Sequence, residues 1–358
     1  MSGGQMSDER AGGSRAMVAL VVLLFLVWGF ATVLNDTLIP KLKSVFALSY
    51  AEVMLTQFSF FLAYFLLSLP AGFLLHRVGY FRGIVVGLVA MGAGCILFLA
   101  ASAIGVYSAF LIALFVVAAG ITLLQVAANP LIALLGSDET ASSRLTLAQA
   151  FNSIGTTIGP FVGSALLLAG GLAARPPAEA GPALDVYRQT QTHAVGVPYA
   201  IFGLALLVLA AIFWRNRDRG GAKLAPPKAS AGGWALFRRP RLALGAISIF
   251  TYVGAEVSIG SFLVSDLMSA RTIGVAAQEA GRLLSHYWGG MLVGRFVGSW
   301  ILTRARPGFV LAACALACAA LAALAVVTAG TIAAVAALAV GLFNSIQFPT
   351  IFSVAIGV

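Results

Sequence analysis

Two acidic residues stand inside long apolar stretches of the chain. Asp36 follows "VWGFATVLN", and Glu256 lies in "YVGAEVSIG". A carboxylate at the centre of a bilayer costs about 2.5–3.5 kcal/mol on insertion scales, so such acids are typical of proton relays and ion pathways. Both residues are therefore candidates for ion coupling. Two alternatives stay open: Asp36 is an interfacial acid beside two lysines, and Glu256 is a buried acid paired with Arg295 or His286.

Amide side chains form a second set of polar residues within apolar surroundings. An amide donates and accepts hydrogen bonds at once, which suits a neutral, hydroxyl-rich ligand such as a sugar. Gln149 and Asn152 are three residues apart and so share one helix face. Taken singly, each amide is equally well explained as a contact between packed helices. The candidates for sugar binding are Asn35, Gln57, Gln125, Asn129, Gln149, Asn152, Asn344 and Gln347. Possible ring platforms are Trp28, Tyr252, Tyr287 and Trp288.

The elements that carry these residues are membrane-spanning helices. The 358 residues are 60% hydrophobic and 9% charged, with a mean hydropathy of +0.99. A spanning helix needs about 20 mostly apolar residues, and continuous apolar runs exclude the alternating pattern of a β-barrel. We predict ten spans, of which the first is a retained helix and not a cleaved signal. Their ranges are 17–38, 50–75, 83–102, 107–135, 144–170, 194–214, 241–265, 280–303, 308–328 and 331–357.

The net charge of +10 follows the positive-inside rule. With a cytoplasmic N-terminus, 15 of the 22 Lys and Arg residues fall in cytoplasmic segments. The basic charge therefore needs no nucleic-acid partner. The basic stretch 215–241 is predicted to be a cytoplasmic linker between a six-helix bundle, 1–214, and a four-helix bundle, 242–358. The stretch 174–193 is predicted to be a plain external loop.

The two predicted bundles carry matching polar positions. Gln125 precedes Pro130 by five residues, and Asn344 precedes Pro349 by the same distance. The acids Asp36 and Glu256 are separated by nearly the same interval as these two amides. Many transporters are built from duplicated helical repeats, so we predict two pseudo-repeated halves in the same membrane orientation, with a helix kink at each proline facing a shared cavity.

No motif of an enzyme or of a bound cofactor is found. The sequence has no Walker loop, no zinc-ligand cluster and no Gly-x-Ser-x-Gly, and its three cysteines all lie within apolar runs. We therefore expect neither catalytic residues nor a metal or cofactor.

Several segments together resemble the fucose/galactose/glucose symporter family of the major facilitator superfamily, in particular its glucose/galactose transporter branch. They are "VWGFATVLNDTLIPKLKSVF", "QFSFFLAYFLLSLPAG", "LLQVAANP", "RLTLAQAFNSIGTTIGP", "YVGAEVSIGSFL", "YWGGMLVGRFVGSW" and "SIQFPTIFS". The resemblance implies alternating access and sugar symport. It departs from the family at Gln125, where the fucose symporter has a glutamate that couples protons, and in length: the family has twelve helices, and we expect helices 11 and 12 to have no counterpart here because the chain is a truncated form.

The sequence thus predicts a monomeric hexose symporter of the bacterial inner membrane, coupled to a proton or, alternatively, to sodium. A membrane sugar sensor without transport is the rival hypothesis.

Overall fold

The computed structural model describes residues 3–167, 181–217 and 238–357, and helices make up nearly all of these ranges. A one-turn 3-10 helix, Asp138–Thr140, lies between α4 and α5. The predicted all-α class is confirmed. The helices are α1 (Gly3–Phe46), α2 (Tyr50–Val78), α3 (Tyr80–Ile104), α4 (Tyr107–Leu134), α5 (Ala141–Leu167), α6 (Pro182–Arg215), α7 (Pro240–Met268), α8 (Ala277–Ile301), α9 (Pro307–Val327), α10 (Gly330–Asn344) and α11 (Gln347–Ile356).

Short polar and glycine signals set the helix ends. Ser49 and Glu52 form a reciprocal capping box at the start of α2, which satisfies two backbone donors of the first turn. Gly79, with φ of 83°, lies between α2 and α3, where a side chain would be strained. Helices α6, α7 and α9 each begin with proline, because the first helical position needs no N–H partner.

The predicted count of ten spans is not confirmed. Within the described ranges, eight segments are long and apolar enough to cross a membrane, and neither α5 nor α8 is among them. Polar residues interrupt both helices, for example Gln149 and Asn152 in α5 and His286 and Arg295 in α8. The last predicted span, 331–357, is divided into α10 and α11. The eight segments are Met17–Asn35, Ala51–Val78, Tyr80–Ile104, Tyr107–Leu134, Val186–Arg215, Pro240–Met268, Pro307–Val327 and Gly330–Ile356.

The prediction of an external loop at 174–193 is wrong from residue 182 onwards. Helix α6 already begins at Pro182, and its polar first turns are held by contacts with other helices. The Thr192 hydroxyl, for example, donates to the Ser102 carbonyl at 3.1 Å. Tertiary contacts have overridden the polar composition. Residues 174–180 and most of the predicted linker, 218–237, lie outside the described residues.

Contacts between Cα atoms divide the chain into two compact units. The first unit comprises Met1–Phe25, Ile132–Ile154 and Ser230–Val358, and the second comprises Leu26–Leu131 and Gly155–Ala229. These units follow spatial contacts and not chain order. The division into bundles 1–214 and 242–358 therefore stays a prediction.

In the second unit, α3 and α6 pack closely along their length. A Cβ on Gly92 would lie 3.0 Å from the Gly203 carbonyl oxygen, and a Cβ on Gly203 would lie 2.8 Å from that of Gly92. Further along, the Phe98 and Tyr199 rings stack with centroids 4.0 Å apart. The glycines permit a backbone approach that larger residues would prevent.

A buried cation lies near the C-terminal end of α1. Lys41 is 1% exposed, and its Nζ donates to the Gln191 amide oxygen on α6 at 2.5 Å. Burial lowers the pKa of Lys41 from its ordinary value, because desolvation disfavours the charged ammonium. Lys41 therefore joins α1 to α6 at a cost in desolvation energy.

In the first unit, Arg271 fastens the loop after α7 to the end of α9. Its Nη1 donates to the carbonyls of Ala325 at 2.9 Å and Thr328 at 3.0 Å. Its Nη2 pairs with Asp266 at 2.8 Å, and its own carbonyl accepts from the Gly330 N–H. The guanidinium thus satisfies carbonyls that a helix C-terminus leaves without partners. We call this arrangement the Arg271 clasp.

The two repeat-related prolines differ in their effect on the backbone. Helix α4 continues through Pro130 to Leu134. By contrast, α10 ends at Asn344, and Pro349 lies in the first turn of α11, where its missing N–H breaks no helical hydrogen bond. The two prolines thus differ in that only Pro349 lies beside a break between helices, and the kink at each proline stays a prediction.

Candidate functional site

Three polar side chains gather around Glu256 in the first unit. The Glu256 carboxyl on α7 is half-buried and interacts electrostatically with Arg295 on α8. Tyr252 lies one turn earlier on α7, and its buried hydroxyl interacts electrostatically with Glu256. Tyr287 on α8 is also within electrostatic range of Glu256. We call Tyr252, Glu256, Tyr287 and Arg295 the Glu256 cluster.

Tyr287 connects this cluster to a predicted sugar ligand. It is fully buried, and its hydroxyl accepts a hydrogen bond from the Asn344 Nδ2 at 3.3 Å. The Trp288 ring lies edge-on to Tyr287 with centroids 5.1 Å apart and remains 45% exposed. Gln347, three residues beyond Asn344, donates instead to the Cys318 sulfur at 3.2 Å. Asn344 is thus the amide that lies beside the cluster.

Arg295 also reaches helix α5. Its Nη1 donates to the Gln149 carbonyl at 3.2 Å and to the Ser153 hydroxyl. A longer contact, 3.4 Å, joins its Nε to the Ser345 carbonyl between α10 and α11. The sequence left open whether Glu256 pairs with Arg295 or His286, and the structure places Arg295 near it. No Glu256–Arg295 ion pair within 4 Å is found among the described side chains.

Helix α5 is joined to other elements of the first unit by further polar contacts. The Asn152 amide, a predicted sugar ligand, donates to the Phe25 carbonyl at 3.0 Å. The Ser142 and Ser353 hydroxyls lie 2.6 Å apart, and the Ser143 hydroxyl donates to the Ser299 carbonyl at 2.7 Å. The Gln149 side chain is buried. In this conformation Asn152 therefore serves helix packing.

The second unit contains the other predicted amides. The Gln125 Nε2 on α4 donates to the Tyr64 hydroxyl on α2 at 2.9 Å. Asn129, one turn later, is buried, and Gln57 on α2 is half-buried. Asn35 on α1 is 3% exposed, and its Oδ1 accepts no hydrogen bond from a described residue. The amides thus lie within the protein and not on its exposed apolar faces.

The two units repeat one polar arrangement. In each, an amide five residues before a proline donates to a tyrosine hydroxyl: Gln125 to Tyr64, and Asn344 to Tyr287. Neither amide oxygen accepts a hydrogen bond from a described residue. We call these two contacts the amide–tyrosine pairs. The sequence pattern did not predict that Tyr64 and Tyr287 are the partners of these amides. Both tyrosines lie in aromatic stretches, "FSFFLAYF" and "HYW".

Two predictions about the site are not tested by these contacts: the ion-coupling role of Asp36 and the expectation that no metal is bound. The backbone of α1 passes through Asp36, but the Asp36 side chain lies outside the described residues, so its coupling role stays a prediction. Among described residues, no group of three or more His, Cys, Asp or Glu residues could hold a metal ion.

Comparison with known proteins matches almost the whole chain to one family. The model of the Major Facilitator Superfamily matches residues 13–357. The glucose/galactose transporter of Brucella abortus biovar 1 (strain 9-941) is 48% identical over 336 residues, which cover 94% of this chain and 79% of that relative. The L-fucose-proton symporter of Escherichia coli (strain K12) is 33% identical over 370 residues, covering 98% of this chain and 82% of that relative.

A solved structure agrees with this match. The crystal structure of the major facilitator superfamily transporter FucP in the outward conformation is similar with a TM-score of 0.84. The identity is 31%, over 95% of this chain and 84% of that one. The resemblance inferred from the sequence motifs is confirmed, and these relatives are transporters, not enzymes.

Proposed function

Because the chain belongs to the major facilitator superfamily, we propose that it imports hexoses of the glucose and galactose type together with a cation. The identity with a glucose/galactose transporter and with an L-fucose-proton symporter supports this substrate class. A proton is the preferred coupling ion, since the second relative is named for it. Sodium coupling is the alternative.

The amide–tyrosine pairs are the observation that carries the proposal. Each pair keeps an amide oxygen that can accept from a sugar hydroxyl and a phenol O–H that can donate to one. Both pairs lie among aromatic residues, Phe60 beside Tyr64 at 5.4 Å and Trp288 beside Tyr287, and an aromatic ring suits the apolar face of a hexose. Asn35, Gln57, Asn129, Gln149, Asn152 and Gln347 remain proposed contributors to sugar binding.

Coupling is proposed to depend on Asp36 and Glu256. Gln125 cannot exchange a proton, so Asp36 is the acid of the first half and Glu256 that of the second. A cation drives transport only if its affinity differs between conformations. Glu256, surrounded by Arg295 and two tyrosines, has partners whose distance a conformational change would alter.

The proposed topology has ten spans with a cytoplasmic N-terminus. Helices α5 and α8 contain 27 and 25 residues, which at about 1.5 Å per residue is enough to span the hydrocarbon core. Residues 1–214 and 242–358 form the two bundles, with the basic segment 215–241 as a cytoplasmic linker. The protein works as a monomer in the bacterial inner membrane, without nucleic acid.

Uptake of radiolabelled glucose into proteoliposomes tests the function. We expect accumulation with an inward proton gradient, and competition by unlabelled galactose. Accumulation that needs a sodium gradient instead would identify the alternative coupling ion. Binding of glucose to the purified protein without uptake would refute a carrier and support the sensor hypothesis. If the protein neither binds glucose nor takes it up, the assignment to hexoses is refuted.

A further inference from the structure

Arg295 has two kinds of partner that lie on different helices. The donors on its Nη1 reach two acceptors on α5, the Gln149 carbonyl and the Ser153 hydroxyl. These acceptors are neutral. The opposite charge near the guanidinium is Glu256 on α7. A planar guanidinium with five donors in a fixed fork binds a carboxylate more strongly than it binds a neutral acceptor.

The surroundings of Glu256 are otherwise short of charge. The titratable groups described around it are Arg295 and the hydroxyls of Tyr252 and Tyr287. Neither tyrosine bears a charge at neutral pH. The electrostatic force on Arg295 from this side therefore changes mainly when Glu256 gains or loses a proton.

The position of α8 limits how Arg295 can respond. Gly294 and Gly298 lie on either side of it, and a side chain at either position would collide with the α10–α11 region, at Ser345 and Ile346 respectively. On α5, Phe151 packs edge-on against Phe296 of α8, with centroids 6.2 Å apart. Because α8 is closely packed on the α10–α11 region, a change at Glu256 acts on the guanidinium and on the α5 acceptors that it holds.

We infer that Arg295 is a positioning residue that carries the charge state of Glu256 to helix α5. This inference rests on the proposed function. With Glu256 neutral, the guanidinium holds the Gln149 carbonyl and the Ser153 hydroxyl and fixes α5 in the described conformation. With Glu256 ionised, the carboxylate competes for the same donors and weakens the hold on α5. Ion binding at α7 is thereby linked to the position of the helix that bears Gln149 and Asn152, and such a link is reciprocal.

The test measures exchange of labelled glucose by the full chain in proteoliposomes between about pH 5 and 9. For the wild type, we expect the glucose concentration for half-maximal exchange to change about tenfold across this range, within the usual size of such coupling. Arg295→Gln and Glu256→Gln should each flatten the profile. The pH profile of the double variant should be no flatter than that of either single variant, because both substitutions remove the same link.

Two milder variants separate positioning from folding. Arg295→Lys keeps the charge but not the fork, so it should retain part of the pH dependence. Ser153→Ala removes one acceptor and should shrink the dependence about twofold to threefold. Arg282→Gln makes the same chemical change at the exposed end of α8, where Arg282 pairs with Glu279 at 3.4 Å, and should keep the wild-type profile.

The outcomes that overturn the inference differ from those that overturn the function. A wild-type profile in Arg295→Gln, or effects of Arg295→Gln and Glu256→Gln that multiply in the double variant, would refute the link while transport itself stands. If Arg295→Gln fails to fold, a wild-type pH profile of exchange in Ser153→Ala refutes the inference. A wild type that exchanges no glucose overturns the proposed function, and the inference with it.

Discussion

Replacing Gln125 by leucine should weaken glucose binding much more than removing its tyrosine partner. Leucine deletes the proposed contact of the Gln125 amide with a sugar hydroxyl. It also deletes the 2.9 Å bond that orients the Tyr64 hydroxyl, so both proposed sugar contacts of the pair are affected. Each neutral hydrogen bond contributes about 1 kcal/mol, so the combined loss is about 2 kcal/mol, or about thirtyfold in Kd. Tyr64→Phe deletes the phenol's proposed contact with the sugar but keeps the Gln125 amide oxygen, so a loss of about 1 kcal/mol, or about fivefold, is expected.

Equilibrium binding of labelled glucose to purified protein in detergent measures both changes, and thermal melting checks that each variant is folded. The first unit offers a matched comparison, since Asn344→Leu and Tyr287→Phe alter the second amide–tyrosine pair in the same way. The same order of effects is expected there. Wild-type affinity in both leucine variants, or a larger loss in Tyr64→Phe than in Gln125→Leu, would refute the assignment of the amides to sugar binding.

Three further outcomes are expected. Arg271→Ala should lower the free energy of unfolding by about 2 kcal/mol through loss of the Arg271 clasp, seen as a lower melting temperature. Arg282→Ala should change the melting temperature little, because exposed ion pairs contribute about 0–1 kcal/mol. Equal melting temperatures of the two variants would contradict this prediction. Asp36→Asn should exchange glucose across the membrane but fail to accumulate it, and accumulation driven by an ion gradient would move the coupling role elsewhere. Because burial lowers the folded-state pKa of Lys41, the unfolded chain binds more protons between that pKa and the ordinary lysine value, and wild-type stability should rise with pH through this window. Lys41→Met should melt higher than wild type near neutral pH, and the difference in melting temperature should narrow as pH rises. A difference that is constant with pH would exclude the desolvation of Lys41 as its cause.

Most helices were predictable because hydropathy depends on composition alone. The predicted ends of α4, α7 and α9 fall within three residues of those observed. The first turns of α6 were missed because "PPAEAGP" and the polar residues after it are typical of loops. Their helical state depends on contacts such as Lys41 with Gln191, and a local pattern contains no information about partners 150 residues away.

The candidate site was predictable in residue type but not in pairing. An isolated amide in an apolar run already indicates a polar function or a packing contact, so Gln125 and Asn344 could be selected from the sequence. Which tyrosine each one meets depends on how α2 packs on α4 and α8 on α10. For the same reason the sequence could not show that the Asn152 amide is occupied by the Phe25 carbonyl. Nor does a proline by itself show whether a helix continues or ends, as Pro130 and Pro349 demonstrate.

The break between α10 and α11 is a point about which α11 can rotate, and the length of α11 sets how far its residues would then move. Ser353 lies six residues beyond Gln347, the first residue of α11, and so about 9 Å along the helix axis from this point. A rotation of about 10° there displaces Ser353 by about 1.5 Å. Directed away from α5, that displacement is enough to separate the Ser142 and Ser353 hydroxyls, now 2.6 Å apart, beyond the reach of a hydrogen bond. A small angular change at two residues can therefore undo a contact with another helix without breaking any helical turn.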